Sequence, residues 1–282
     1  MKTLRMRFGR TLGRSFFYLI IILLVLLSLY PVFWLLTTSM KTYAESISWP
    51  PSLFPQAPTL QPYINTFHLD GFGRSVINSF VFAGGGMILE MLCCSLAAYG
   101  FSRYRFRFKK ALFFMVLITL MIPTQITMIP IFLILTDLNW VNTFAGLIVP
   151  GIGNAFSIFL IHQFATDLPN DYFDAGRIDG AKEMTLYFKI FLPLCKPILS
   201  TLVVLEFVGR WNDLFWPLIV TNSNDMSTLT LLLTTANRSV YDTYWNDLSA
   251  AMIIALLPIL ILYIAFQKYF IEGISLGSGI KG

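Results

Sequence analysis

The chain has 282 residues, of which 56% are apolar and only 12% charged, against about 25% charged in soluble domains. This excludes a water-soluble globular protein and points to a polytopic membrane protein. The formal net charge of +5 is split among short flanks with no aromatic-basic groove, so it reads as membrane topology rather than affinity for nucleic acid.

In chain order, a basic tail over 1–15 (Lys2, Arg5, Arg7, Arg10, Arg14) precedes an apolar run, Phe16 to Leu36. That run is too long for a signal peptide and no small-residue cleavage site follows, so it predicts an uncleaved first span. Thr42 to Gly73 carries Pro50, Pro51, Pro55, Pro58 and Pro62, which deny it a long helix. It reads either as a ledge capping the spans or as a surface for an external protein.

Further apolar stretches of the roughly 20 residues that cross hydrocarbon run from Ser75 to Tyr99, Leu112 to Leu135, Thr143 to Phe164, Ile198 to Thr221 and Leu248 to Phe266. The expected fold is therefore all-α, with six transmembrane helices over 16–270 and a cytoplasmic tail over 271–282. Continuous apolar runs without period-two alternation exclude a β-barrel. Spans two and four are rich in small residues that allow close helix packing. Gly84 to Gly86, Pro123, Pro130 and Pro150 are expected to loosen or bend their helices.

Arg103, Arg105, Arg107, Lys109 and Lys110 lie between spans two and three. Arg177, Lys182, Lys189, Lys196, Lys268 and Lys281 lie in the polar loop and tail. With the N-terminal group these are most of the 20 basic residues, and the positive-inside rule then puts both termini and the polar loop in the cytoplasm. Cys93, Cys94 and Cys195 have no CxxC spacing and read as packing residues, and His68 and His162 are isolated. No metal site or disulfide framework is expected.

The polar loop, about 165–197, reads Asp174-Ala175-Gly176, three residues, Gly180, nine residues, then Ile190-Phe191-Leu192-Pro193. Asp167 or Asn170 can cap a first helix to about Ile178, with Asp171 and Asp174 at its positive end. Asp179-Gly180 ends that helix. A second runs from Ala181 towards Ile190, closed by Pro193, and Pro197 leads into the fifth span. Ala175 and Gly176 are expected to bare a surface that lets a partner reach the backbone, with Arg177, Asp179, Lys182 and Glu183 available for ion pairs at its rim.

Ionisable residues inside spans are costly and are expected to face protein or water: Glu90 in the second, and Glu206, Arg210 and Asp213 in the fifth. The spacing of the last three suits a mutually neutralising triad on one helical face, serving either to pin the span or to meet substrate. Trp211, Asn212 and Trp216 add aromatic faces and an amide suited to sugars. Beyond them, Thr221 to Asp247 carries Asn222, Asn224, Asn237, Asn246, Tyr241, Tyr244 and Trp245, which fit sugar or partner contact, with Trp245 read as interface belt. No stretch matches GxxxxGK[ST], so no phosphate-cradling loop is expected and no catalytic residue is assigned.

The polar-loop pattern, together with Arg177 to Ala181, Pro193 to Pro197, Trp211-Asn212-Asp213, Trp216-Pro217-Leu218, Ile122-Pro123 and the Gly-Ile-Lys-Gly end, resembles the EAA loop and flanks of inner-membrane permeases of bacterial ATP-binding-cassette importers. Within these it is similar to the carbohydrate-uptake, MalG-like branch, from about Arg74 onward. Asp174 stands where Glu is usual and Gly176 where Ala is usual.

The resemblance implies a multi-pass subunit of the bacterial inner membrane that passes a sugar or oligosaccharide delivered by an extracytoplasmic binding protein. Its implied partners are a second, MalF-like permease and two ATPase subunits, which carry the ATP and Mg, so the chain itself needs no cofactor. The coupling residues would be Asp174, Ala175, Gly176, Arg177, Asp179, Gly180, Ile190, Leu192 and Pro193, and Glu90, Glu206, Arg210, Trp211, Asn212, Asp213 and Trp216 would line a substrate pathway. The rival is a stand-alone ion-coupled carrier using Glu90, Glu206 and Asp213 as a proton relay.

Overall fold

A computed structural model describes residues 2–236 and 244–278; Asn237, Tyr241 and the Gly-Ile-Lys-Gly end fall outside them. Among the described residues the chain is helical, with turns and no strand. It divides into two units, residues 1–69 with 237–256, and residues 70–236 with 257–282.

In the first unit, α1 (Lys2–Thr38) contains the apolar stretch Phe16–Thr38. Its side chains from Phe16 to Tyr30 are exposed, as lipid-facing residues are. The proline-rich segment forms only α2 (Tyr43–Ser46) and α3 (Gln61–His68). It is held by polar bonds: Glu45 Oε1 accepts from the Ser52 hydroxyl at 2.9 Å and from the Gln56 amide at 2.8 Å, and the buried Lys41 donates to the Ser52 carbonyl while lying 4.7 Å from the Trp34 ring. The Asn65 side chain donates to Asp247 at 3.0 Å, at the start of the last helix, α14 (Trp245–Ser278).

The second unit starts with α4 (Phe72–Arg103), which includes one wide turn at Val81–Gly85. There follow α5 (Lys109–Thr119) and α6 (Thr124–Asp137), then α7 (Phe144–Gly151) and α8 (Ala155–Thr166), then α9 (Asp171–Ile178), α10 (Glu183–Leu194) and α11 (Lys196–Trp211), and finally α12 (Phe215–Val220) and α13 (Leu229–Ala236). Phe16–Thr38, α4 and Trp245–Lys268 are long and apolar enough to cross a membrane alone. Counting each bent pair as one span gives up to six, one of those pairs joining α10 of the polar loop to α11.

The bends correct the expected spans. Leu112 to Leu135 is broken between Thr119 and Thr124 by 101°, where Pro123 takes an extended conformation and supplies no amide to continue the helix. Ile198 to Thr221 is not continuous either: α11 ends at Trp211, and after Asn212 to Leu214 the chain restarts in α12. Pro217 lacks the amide that would bond back to Asp213, and Asp213 Oδ1 instead accepts from the Trp216 amide at 3.3 Å. The helix that pairs with α11 is α10, across a 77° bend at Cys195.

The main core of this unit joins Met91, Cys94, Ala98 and Tyr99 of α4, Ile158 and Ile161 of α8, Phe173 of α9, and Leu186, Tyr187 and Phe191 of α10. The polar hairpin α9–α10 thus shares one core with two membrane helices. A second cluster joins Phe82, Leu135, Leu147, Ile148 and Val220.

Candidate functional site: a docked hairpin and a charged cavity

In the hairpin, α9 spans the expected residues, with Asp171 and Asp174 in its first turn. Gly180 takes the left-handed conformation, φ 78°, that ends it. Asn170 occupies the cap position but makes no side-chain cap bond; its Oδ1 accepts from Arg103 Nη1 at 2.6 Å. Arg103 also donates to the carbonyls of Ala165 and Leu168 and lies 4.1 Å from the Phe173 ring. The C-terminal end of α4 is thereby fastened to the hairpin's entry, a contact the bare sequence does not single out.

Pro193 does not close the second helix, which continues to Leu194. The turn before it, Tyr187–Phe191, widens to π geometry, which accommodates a proline that has no amide to donate back. The expected small-residue surface also divides. Ala175 is exposed, but Gly176 faces inward: a Cβ there would stand 2.6 Å from Leu186 Cδ2 and 3.1 Å from Ile190 Cδ1. Ile190 and Leu192 likewise pack against the core. Gly176 therefore sets the approach of α9 to α10.

Arg177 is engaged within the hairpin, at 3.1 Å from Asp174 and 3.3 Å from Glu183. Glu183 Oε2 also accepts from the Tyr99 hydroxyl at 2.8 Å. A hydrogen bond from Tyr104, then those from Tyr99 and Arg177, hold the Glu183 carboxyl below the ordinary glutamate range against the opposing effect of desolvation. The exposed face carries Asp174, Ala175, Asp179, Gly180 and Pro193 from the expected set. It also carries Tyr172, Ile178 and Met184 at 56%, 86% and 62% exposure. These large apolar groups are the side chains a docking face would bury, and the polar look of the loop hides them.

A cavity of about 380 Å³ lies in the second unit, lined by α4, α6, α7, α11, α12 and Asn154 at the start of α8. Glu206, Arg210, Asp213 and Trp216 line it, and Glu90 stands behind it, fully buried. Arg210 Nη2 donates to Glu90 Oε2 at 2.8 Å and to the Gly151 carbonyl at 2.7 Å. The expected triad within α11 does not form. Among the described residues the ion pair of Arg210 is with Glu90, across helices. Asn154 Nδ2 donates to Glu206 Oε1 at 3.1 Å, and the Ser157 hydroxyl lies 2.9 Å from Glu90 and 3.4 Å from Glu206. Asp213 caps α12.

Room for the guanidinium comes from Gly86 and Gly151, where a Cβ would stand 2.9 Å and 2.8 Å from it. Trp211 is buried, stacked on Phe207 at 5.6 Å and edge-on to Phe80 at 4.9 Å, and does not line the cavity. Asn212 is exposed and also lies outside the lining. Trp216 lines it, its Nε1 donating to the Leu147 carbonyl at 3.1 Å. Sequence reasoning missed Phe82, Thr124, Thr127 and Asn154 in the lining. The signal for the threonines was their position just past Ile122-Pro123, three apart on one helical face.

The sequence profile described as "Binding-protein-dependent transport system inner membrane component" matches residues 91–275. The chain is 39% identical over 233 residues to the arabinooligosaccharides transport system permease protein AraQ of Halalkalibacterium halodurans, covering 81% of each. It is 33% identical over 269 residues to AraQ of Bacillus subtilis, covering 94% of each. In three dimensions it is similar to a chain of a bacterial ABC transporter involved in the import of the acidic polysaccharide alginate, with TM-score 0.83 and 24% identity over 93% of this chain and 97% of that one.

Proposed function

This chain belongs to the inner membrane component family of binding-protein-dependent transport systems, and we propose that it passes a sugar or oligosaccharide inward while a separate ATPase drives it through the α9–α10 hairpin. The observation that carries this reading is the hairpin's two-sidedness. Phe173, Leu186, Tyr187 and Phe191 anchor its back in the core of the membrane helices, while Tyr172, Ile178 and Met184 stand exposed on it. A push on the exposed side therefore moves α4, α8 and α11 as one packed body, since close-packed interiors transmit strain.

In this reading the tails 1–15 and 271–282 and the hairpin, about 165–197, are cytoplasmic and the proline-rich segment is external. A second permease of the same family, two ATPase subunits holding ATP and Mg, and an extracytoplasmic binding protein complete the machine. The AraQ relatives favour an oligosaccharide as cargo. The ion-coupled carrier is disfavoured because Glu90, its buried relay member, is paired with Arg210.

The test is to purify the whole complex into lipid and measure ATP hydrolysis as candidate sugars are added with the binding protein. Sugar-stimulated hydrolysis is expected. Uphill uptake by this chain alone on a proton gradient would overturn the reading.

A further inference from the structure

The lining of the cavity has an electrostatic asymmetry. Arg210 is its one basic residue, and its charge is matched by Glu90, which is fully buried and outside the lining. Glu206 and Asp213 line the same space, and among the described residues neither has a salt bridge. Glu206 accepts from Asn154 and lies against Ser157 and the buried Glu90, and Asp213 accepts from a backbone amide. The space therefore has carboxylates facing it and no uncompensated cation.

We propose that this cavity binds a neutral, hydroxyl-rich ring and turns away solutes bearing carboxylate or phosphate. The proposal rests on the sugar-permease reading and narrows its substrate class. Glu206 and Asp213 are acceptors for vicinal hydroxyls, whose donors suit a carboxylate. Trp216, also in the lining, offers apolar ring surface of the kind that covers sugar C–H faces. At about 380 Å³ the space is within the roughly 300–1,000 Å³ of small-molecule sites. An anionic sugar would meet like charge in a partly desolvated space, where repulsion is stronger than in water. The guanidinium is already engaged, its Nη2 donating to Glu90 and to the Gly151 carbonyl while Gly86 and Gly151 lie against it.

The test is equilibrium binding to the complete complex in lipid nanodiscs with no binding protein added, so that the receptor's own preference does not enter. The probes are radiolabelled arabinotriose and a length-matched alginate trimer. The wild-type complex should bind arabinotriose and exclude the alginate trimer. Asp213→Asn and Glu206→Gln should each raise binding of the acidic trimer relative to the neutral one by about tenfold or more. The proposal is overturned if the wild type binds both trimers alike, or if neither variant changes their ratio, and either result leaves the sugar-permease reading standing. If neither trimer binds and neither stimulates ATP hydrolysis in the presence of binding protein, both are overturned. Should a variant fail to assemble, the other variant and the wild-type ratio still decide.

Discussion

Gly176 lies so close to Leu186 that a methyl added at its Cα would stand 2.6 Å from the leucine Cδ2. The two helices of the hairpin are thus held together by the absence of a side chain. Gly176→Ala should be tolerated, because the obstructing atom is the end of a flexible side chain, whereas Gly176→Val should overpack the contact and destabilise it by about 1–3 kcal/mol. The readouts are the thermal midpoint of the purified chain and the amount of ATPase that co-purifies with it. Leu186→Ala in the Gly176→Val background should lose less than the sum of the two single changes, and strict additivity would count against the contact.

Gly180 poses a different constraint, since its φ of 78° has open space around it. A β-branched residue is strained there by the backbone alone, at about 1–2 kcal/mol. Gly180→Val should therefore lower sugar-stimulated ATP hydrolysis while Gly180→Asn, a residue that tolerates the left-handed region, retains most of it. Equal loss in both variants would point to a side-chain clash with the partner instead of backbone strain.

Arg210 and Glu90 are joined across helices at 2.8 Å with Glu90 fully buried. Removing one partner leaves an uncompensated charge, so Glu90→Ala should destabilise the protein by about 3–5 kcal/mol, while the double change Glu90→Leu with Arg210→Met should restore much of it. Unfolding midpoints in detergent for the single and double variants measure this. A double variant as unstable as Glu90→Ala would show that the pair does more than neutralise itself.

Glu183 gives the hairpin a pH dependence of known sign. Its carboxyl is held below the ordinary range of about 4.3, first by Tyr104 and then by Tyr99 and Arg177, against desolvation. The bound form is the ionised one, so the stabilisation is full above the ordinary value and is lost as pH falls through the lower, folded-state value. Limited proteolysis of the hairpin should accelerate over that acid range in the wild type. Glu183→Gln should already cleave faster at neutral pH and lose most of the acid dependence there.

The membrane class, the three continuous apolar helices, the extent of α9 and its glycine stop were legible in the sequence because each depends on local chemistry: hydropathy over one helix length, or a residue that tolerates positive φ. The inward turn of Gly176, the passage of the second helix through Pro193 and the burial of Trp211 were not. Each is decided by what packs against it, and small residues look alike whether they face a partner or a neighbouring helix. The exposed Ile178 and Met184 were overlooked for the same reason, since composition reports a polar loop without saying which of its apolar members remain uncovered.

The sequence by itself determined that this chain lives in a membrane, that its ionisable residues must avoid lipid, and that a polar hairpin interrupts its spans. Tertiary structure alone decided the partners: Arg210 with Glu90 instead of its helical neighbours Glu206 and Asp213, and the hairpin with α4 and α8. An ion pair forms where approach and desolvation allow it, and that depends on how the gaps left by Gly86 and Gly151 align between helices, which spacing along one helix cannot specify.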